Sequence, residues 1–147
     1  MFSKRTIILI AIFFITISQS RITYYRVSAT GDGTGSMDNN VYGNFNMVRG
    51  INNGAMGNNN MILGHSNGLM GDQNQLSGSF NGIMGKLNRI SGNANGIFGH
   101  NNIVQGHANG VYGLNNNIVG HQNGIMGMRN TVYGIGNNVM WSKISIL

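Results

Sequence analysis

Carboxylates, the side chains that acid–base enzymes use most, are almost missing from this 147-residue chain. Only Asp32, Asp38 and Asp72 are acidic, and there is no glutamate. A paired-carboxylate mechanism needs two such groups placed on either side of a substrate. Asp72 alone falls within the regular part of the sequence. We therefore expect no enzymatic activity.

Histidine is the other residue type suited to chemistry, and His65, His100, His107 and His121 recur in one register of the sequence. His107 and His121 are fourteen residues apart, so in successive turns of a parallel β-structure they would stack within ~5 Å. A zinc site needs three or four ligands in a tetrahedral array, and no third ligand is evident. We expect these histidines at corners of the fold, with no metal and no cofactor.

The sequence also lacks the motifs of phosphate-binding and nucleic-acid-binding proteins. The segment 31–35 has the glycine content of a phosphate loop but not its lysine or following helix, so we interpret it as a linker. The formal net charge is +6, yet the basic residues are dispersed and no nucleic-acid-binding motif accompanies them. We expect no nucleic-acid partner. The chain has no cysteine, so stability must come from packing rather than disulfides.

The elements that position these residues come from one seven-residue unit, N-x-(I/V/L/A)-x-G-x-x, repeated fifteen times without insertion over residues 39–143. We number its positions place one to place seven. Asn holds place one in every copy, and Gly holds place five in fourteen copies, with Trp141 replacing it in the last. A fixed short period indicates stacked structural units.

A coiled coil is excluded because a Gly in every heptad costs a helix roughly 1 kcal/mol each, with a further cost for every Asn. We instead predict a short strand over places one to four or five, then a tight turn through Gly. Alternate side chains of a strand face opposite ways, so the always aliphatic place three must be the core. This core column is Val41, Val48, Ala55, Ile62, Leu69, Leu76, Ile83, Ile90, Ile97, Val104, Val111, Ile118, Ile125, Val132 and Val139.

Alternate copies follow the pattern N-G-(I/V/L/A)-(M/F/Y)-G, so the true repeat is fourteen residues, one coil with two strands and two corners. The predicted fold is all-β: a parallel β-solenoid, or β-roll, of about 7.5 coils and roughly 36 Å in length. Asn at place one favours a ladder of stacked amides, with isolated Asx-turns as the alternative. The predicted ladder residues are Asn53, Asn67, Asn81, Asn95, Asn109 and Asn123.

Place four of the alternate copies forms a second column, which we call the Met/aromatic column. It comprises Tyr42, Met56, Met70, Met84, Phe98, Tyr112, Met126 and Met140. This column points away from the core, and place two beside it is Gly from Gly54 to Gly124. A row of large apolar side chains is typical of an interaction site. We predict self-association through it; the alternative is that the column packs inward in a wider roll.

The predicted domains are a signal peptide (1–20), a linker or N-terminal cap (21–38), the repeat domain (39–143) and a C-terminal cap or tail (144–147). Lys4 and Arg5 followed by the apolar run 7–17 are typical of a secretory signal. The alternative, a membrane anchor, is disfavoured because the run is too short for a ~30 Å bilayer core. We expect a protein that is secreted or held at the cell surface, with no transmembrane segment after cleavage.

The repeat is similar to the YadA-like head repeats of trimeric autotransporter adhesins, with a small polar residue first, an apolar residue third and Gly fifth, as in Asn95-Gly96-Ile97-Phe98-Gly99. That resemblance implies a left-handed β-roll that trimerises and adheres. No coiled-coil stalk or membrane barrel follows Lys143 in this sequence. The resemblance therefore covers only the repeat region.

The function favoured by the sequence is a structural or adhesive protein that forms a homo-oligomer, a trimer or a fibre, and contacts a surface or extracellular-matrix target. The alternative is an ice- or carbohydrate-binding module that uses a flat face of the solenoid. Regular solenoids suit periodic ligands. Ice-binding faces typically repeat threonine, however, and the repeat domain contains only Thr131. Sugar-binding surfaces typically combine aromatic with polar side chains, whereas the aromatics here lie beside glycines. This alternative therefore ranks second.

Overall fold

The structure, a computed structural model, describes residues 28–30 and 39–147 of the chain. The described residues form strands and turns with no helix, and none of them belongs to a helix that could cross a membrane. The predicted signal peptide (1–20) and most of the predicted linker or cap (21–38) lie outside the described residues. They stay predictions.

Short strands alternate between two sheets. The nine-stranded sheet comprises β1 (Ser28–Thr30), β3 (Met47–Arg49), β5 (Met61–Leu63), β7 (Gln75–Ser77), β9 (Arg89–Ser91), β11 (Ile103–His107), β13 (Asn117–His121), β15 (Thr131–Ile135) and β17 (Ser145–Ile146). The eight-stranded sheet comprises β2 (Asn40–Tyr42), β4 (Gly54–Met56), β6 (Gly68–Asp72), β8 (Gly82–Lys86), β10 (Gly96–His100), β12 (Gly110–Leu114), β14 (Gly124–Met128) and β16 (Asn138–Val139).

All neighbouring strands pair in parallel. Paired residues are fourteen positions apart in the sequence, except between β1 and β3, where they are nineteen apart. Ile97 of β10, for example, lies beside Ile83 of β8 and Val111 of β12. Ala29 of β1 lies beside Val48 of β3, so one strand from before the repeat domain extends the nine-stranded sheet. The predicted all-β fold, a parallel β-solenoid with fourteen-residue coils, is confirmed.

The core between the two sheets is a single aliphatic layer. Every place-three residue from Val48 to Val139 is 0–4 % exposed, and Val41, Ile144 and Ile146 pack against this layer at its two ends. Each coil contributes one aliphatic side chain from each sheet, so the two sheets are bridged along the whole roll by direct apolar contact. This burial replaces the disulfides that the chain lacks.

The corners of fourteen of the fifteen heptads consist of two positive-φ residues; in the last heptad Trp141 at place five lacks a positive φ. The place-five glycines have φ between +112° and +147°, and place seven has φ between +55° and +71° although its residue is Gly only at Gly136. At Gly85, a Cβ would overlap the carbonyl oxygen of Gly99 in the next coil, so both the φ angle and the close stacking of corners require glycine. The sequence indicated the glycine turn but not the second left-handed residue.

Candidate functional site

The outer face of the eight-stranded sheet carries the Met/aromatic column. Parallel register places its members side by side, as in the pairs Met56 with Met70, Met84 with Phe98, and Tyr112 with Met126. All eight side chains are 45–61 % exposed. The column therefore forms an exposed apolar ridge along the roll and does not pack inward.

Part of the ridge is ordered by ring stacking. The rings of Phe98 and Tyr112 lie 4.9 Å apart at an angle of 3°, so they stack face to face at the spacing of neighbouring strands. Met84 and Met126 follow on either side of the stacked pair. Methionine sulfur and methyl groups pack favourably against aromatic rings. The ring stacking holds the Phe98 and Tyr112 side chains nearly parallel on the ridge.

A glycine trough runs beside the ridge. It is formed by place two of the same strands and comprises Gly54, Gly68, Gly82, Gly96, Gly110 and Gly124. A Cβ added at the first five of these would meet no atom within 4 Å, and none of the six has a positive φ. Neither the backbone conformation nor packing requires glycine here, unlike at the corners. Near the C-terminal end, the trough and the ridge together enclose about 600 Å³.

The other flank of the ridge is a smaller groove at the corner that follows the eight-stranded sheet. It encloses about 360 Å³ beside Tyr112 and Met126, and place-six residues His100, Leu114 and Met128 line its outer wall. In earlier coils the same wall is polar, with Asp72 and Lys86 joined by a 2.9 Å ion pair. The apolar face is thus widest in the C-terminal half of the roll.

The outer face of the nine-stranded sheet has no comparable regularity. Places two and four change from coil to coil, and they include Arg49, Gln75 and Arg89 among apolar residues such as Met61 and Ile103. The guanidinium of Arg89 donates two hydrogen bonds to the Gln75 side-chain oxygen, at 3.1 and 2.9 Å. This face is polar in patches, whereas places two and four of the eight-stranded sheet carry no charged side chain among residues 39–147.

Place-one asparagines form two amide ladders inside the roll, one at the start of each sheet's strands. Asn81 shows the pattern: its backbone N–H and Nδ2 both donate to Oδ1 of Asn67, and Nδ2 also donates to the Gly92 carbonyl. Its own Oδ1 accepts from Asn95 in the same way. The ladder at the eight-stranded sheet contains Asn53, Asn67, Asn81, Asn95, Asn109 and Asn123, all 1–2 % exposed. Each amide thereby uses its full capacity to donate and accept.

The last complete coil breaks this pattern. Nδ2 of Asn130 is buried without a hydrogen-bond partner. In the preceding copies Nδ2 donates to a place-five Gly carbonyl, as Asn116 does to Gly127 and Asn123 does to Gly134. For Asn130 that place is occupied by Trp141, which is 77 % exposed and lacks the positive φ of the glycines. The ladder therefore loses its corner contact where the regular repeat stops.

Place-six side chains cap the corners. Nδ1 of His107 accepts from the Asn93 backbone N–H, and Nδ1 of His121 accepts from the His107 backbone N–H, each at 3.1 Å. The His107 and His121 rings stack 5.0 Å apart. His100 lies at the opposite corner, after the eight-stranded sheet, where its Nδ1 accepts from the Lys86 backbone N–H. Among the described residues no group of three or more His, Cys, Asp or Glu side chains could hold a metal ion.

Asp72 plays the same capping part with a charged side chain. Its Oδ1 accepts from the backbone N–H and the Nδ2 of Asn58. The hydrogen bond from Lys86, with the Asn58 backbone N–H second, lowers the pKa of the Asp72 carboxyl below its usual value. A carboxylate held ionised by these donors serves as a structural cap. Sequence reasoning missed this capping role because place six has no common residue type: it carries Asn, Asp, His or Ser in some copies and Lys, Leu, Met or Ile in others.

Parallel coils of fixed length, an internal amide ladder and one regular outer face define a β-solenoid protein of the roll type. A family model described as the grass antifreeze beta roll matches residues 56–141, which is more than half of the chain. The chain therefore belongs to the grass antifreeze beta roll family. No curated protein matches the chain.

The resemblance to YadA-like head repeats was wrong, because the family that matches is the grass antifreeze beta roll. The shared features, a polar place one, an aliphatic place three and Gly at place five, have a common physical origin. They supply the ladder, the core and the corner of any roll built from seven-residue half-coils. They do not distinguish one family of rolls from another.

Proposed function

We propose that this protein binds ice through the outer face of the eight-stranded sheet. The observation that carries the proposal is the regularity of this face: six consecutive coils present the same pair of outward residues, Gly at place two and Met, Phe or Tyr at place four. Membership of an antifreeze family supports the same function. A crystal of ice is a periodic surface, so its natural complement is a protein face that repeats one unit.

The chemistry of the face also suits ice. Strands in a sheet lie ~4.8 Å apart, which is close to the repeat of water molecules along one axis of hexagonal ice. Water beside apolar groups loses orientational freedom and forms ordered cages. The glycine trough leaves a continuous channel beside the ridge for one row of such water. Charged groups would hold water in a different arrangement, and places two and four of this face have none.

The opposite face is the poorer candidate. Its outward residues differ between coils and include Arg49 and Arg89. The scarcity of threonine, with Thr131 alone in the repeat domain, counted against ice binding in the sequence. Repetition is the property that a lattice requires, however, and the eight-stranded sheet has it with other side chains.

The test is a thermal-hysteresis measurement on the purified protein, together with inhibition of ice recrystallisation. The variant Met70→Lys/Met84→Lys places two charges in the middle of the ridge. We expect it to lose roughly tenfold or more of the activity, because hydrated ammonium groups cannot join the ordered water. The matched control, Ser77→Lys/Ser91→Lys, adds the same charges to the nine-stranded sheet and should keep the activity. No activity in the unmodified protein, or equal loss in both variants, would reject the proposal.

We keep self-association through the Met/aromatic column as a second candidate, because eight exposed apolar side chains lie in one row and contiguous apolar patches mark interaction sites. The adhesive role has lost its basis with the YadA-like resemblance. Secretion stays a prediction from residues 1–20. A non-enzymatic role also stays a prediction; it is supported by Asp72, the one acidic side chain of residues 39–147, which is engaged by Lys86 and Asn58.

A further inference from the structure

The ridge and the trough of the eight-stranded sheet fit a second copy of themselves. We infer that this face closes on another copy of the chain in solution, with the ridge of each copy lying in the glycine trough of the other. The inference deepens the second candidate function and uses the face proposed for ice, but it does not depend on ice binding.

The area of the face is sufficient for a stable pair. The eight ridge side chains are 45–61 % exposed. If the roughly 200 Å² of an aromatic side chain is taken as the upper value for all eight, their exposed half is at most about 800 Å², which is the area per partner in an interface of standard size. Methionine and aromatic residues are also the types enriched in the centres of interfaces. The face carries no charge at places two and four that pairing would have to desolvate.

The geometry permits only one orientation of the pair. In a face-to-face dimer the two-fold axis lies in the plane of the interface. An axis along the strands would set ridge against ridge. An axis parallel to the roll, midway between places two and four, sets each ridge over the other copy's trough. Met84 of each copy then lies over Gly82 of the other. The two rolls therefore run in the same direction, and their facing strands run in opposite directions.

The trough glycines acquire a reason in this arrangement. A side chain at Gly82 or Gly96 would meet no atom of its own chain within 4 Å, but it would occupy the space that the second copy's ridge needs. Because ice and the second copy use the same face, pairing masks the face and ice must displace the pair. The activity per molecule should then fall as the protein concentration rises through the dissociation constant of the dimer.

Size-exclusion chromatography with light scattering tests the pairing. The unmodified protein should have the mass of a dimer, and Gly82→Leu/Gly96→Leu should have that of a monomer with unchanged circular dichroism. The matched control, Gln75→Leu/Ser77→Leu, fills the opposite face and should remain dimeric. A monomer for the unmodified protein at every concentration, or a dimer that survives Gly82→Leu/Gly96→Leu, would overturn the inference. Thermal hysteresis of the unmodified protein and of Gln75→Leu/Ser77→Leu, whose eight-stranded sheets are unchanged, reports ice binding separately.

The orientation has its own test. The chain has no cysteine, so a single introduced cysteine carries one spin label. Phe45→Cys, Leu87→Cys and Lys143→Cys place the label at the first, middle and last coils of one corner. Electron-resonance distances between the two labels of a dimer should be equal at the three sites if the rolls run in the same direction. A short distance at Leu87 with long distances at both ends would show antiparallel rolls and overturn the arrangement.

Discussion

Two classes of glycine share this repeat, and only one of them is required by the backbone. Gly85, at place five, has φ +141° and its missing Cβ would overlap the carbonyl oxygen of Gly99. Gly82, three residues earlier at place two, has neither restriction. Glycine inside a strand costs roughly 0.5–1 kcal/mol relative to alanine. We infer that glycine at place two of six consecutive coils serves the binding of a surface outside the chain, either ice or a second copy.

Substitution by alanine should change the free energy of unfolding in opposite directions at Gly82 of the trough and at Gly85 of the corner. Gly82→Ala should raise the free energy of unfolding by up to about 1 kcal/mol, because it restricts the unfolded chain and fits the folded strand. Gly85→Ala should lower it by about 3 kcal/mol or more, because strain at a positive φ adds to the steric overlap with Gly99. Thermal and denaturant unfolding measure both. Equal destabilisation by the two variants would contradict the distinction.

At the scale of the strand and the corner, the sequence was sufficient wherever one residue type recurs. Asn95, Ile97 and Gly99 repeat every seven residues, and the ladder, core and corner that they form were all anticipated from that period. Place seven was not anticipated, because Phe80, Asn101 and other residues share a φ near +57° without sharing any chemistry. The family was also missed, since Asn at place one, the aliphatic residue at place three and Gly at place five are required by any roll of seven-residue half-coils and do not distinguish one family from another.

Place seven offers a stabilising substitution at the corner. The left-handed conformation costs an ordinary residue roughly 1–2 kcal/mol, and asparagine tolerates it better. Leu87, with φ +59°, is half exposed, so it contributes little to the core. Leu87→Asn should therefore raise the free energy of unfolding by about 0.5–1 kcal/mol. The reverse change at an equivalent corner, Asn59→Leu, should lower it by a similar amount; thermal unfolding of the pair checks the sign.

For the whole molecule, the heptad determines the coil and the fourteen-residue repeat determines the faces. Fourteen of the fifteen heptads carry the same Asn, aliphatic residue and Gly, so any of these can occupy either sheet. The two sheets differ only in what their strands direct outward. We therefore expect the protein to fold after the loss of half a coil. Every heptad that follows the deletion would then lie in the other sheet, so its outward residues would lie on the opposite face.

Two internal deletions separate folding from function on this basis. Removing residues 81–94 deletes one coil and leaves a continuous ridge with one fewer of its eight rungs. Removing residues 88–94 deletes half a coil, so that Phe98, Tyr112, Met126 and Met140 move to the opposite sheet. Both proteins should fold cooperatively, because the nearest-neighbour contacts that stabilise a solenoid are preserved. The first should keep most of its thermal hysteresis, and the second should lose most of it, because neither face retains more than four successive rungs. Equal activity in the two deletion proteins would show that the function does not depend on a continuous face.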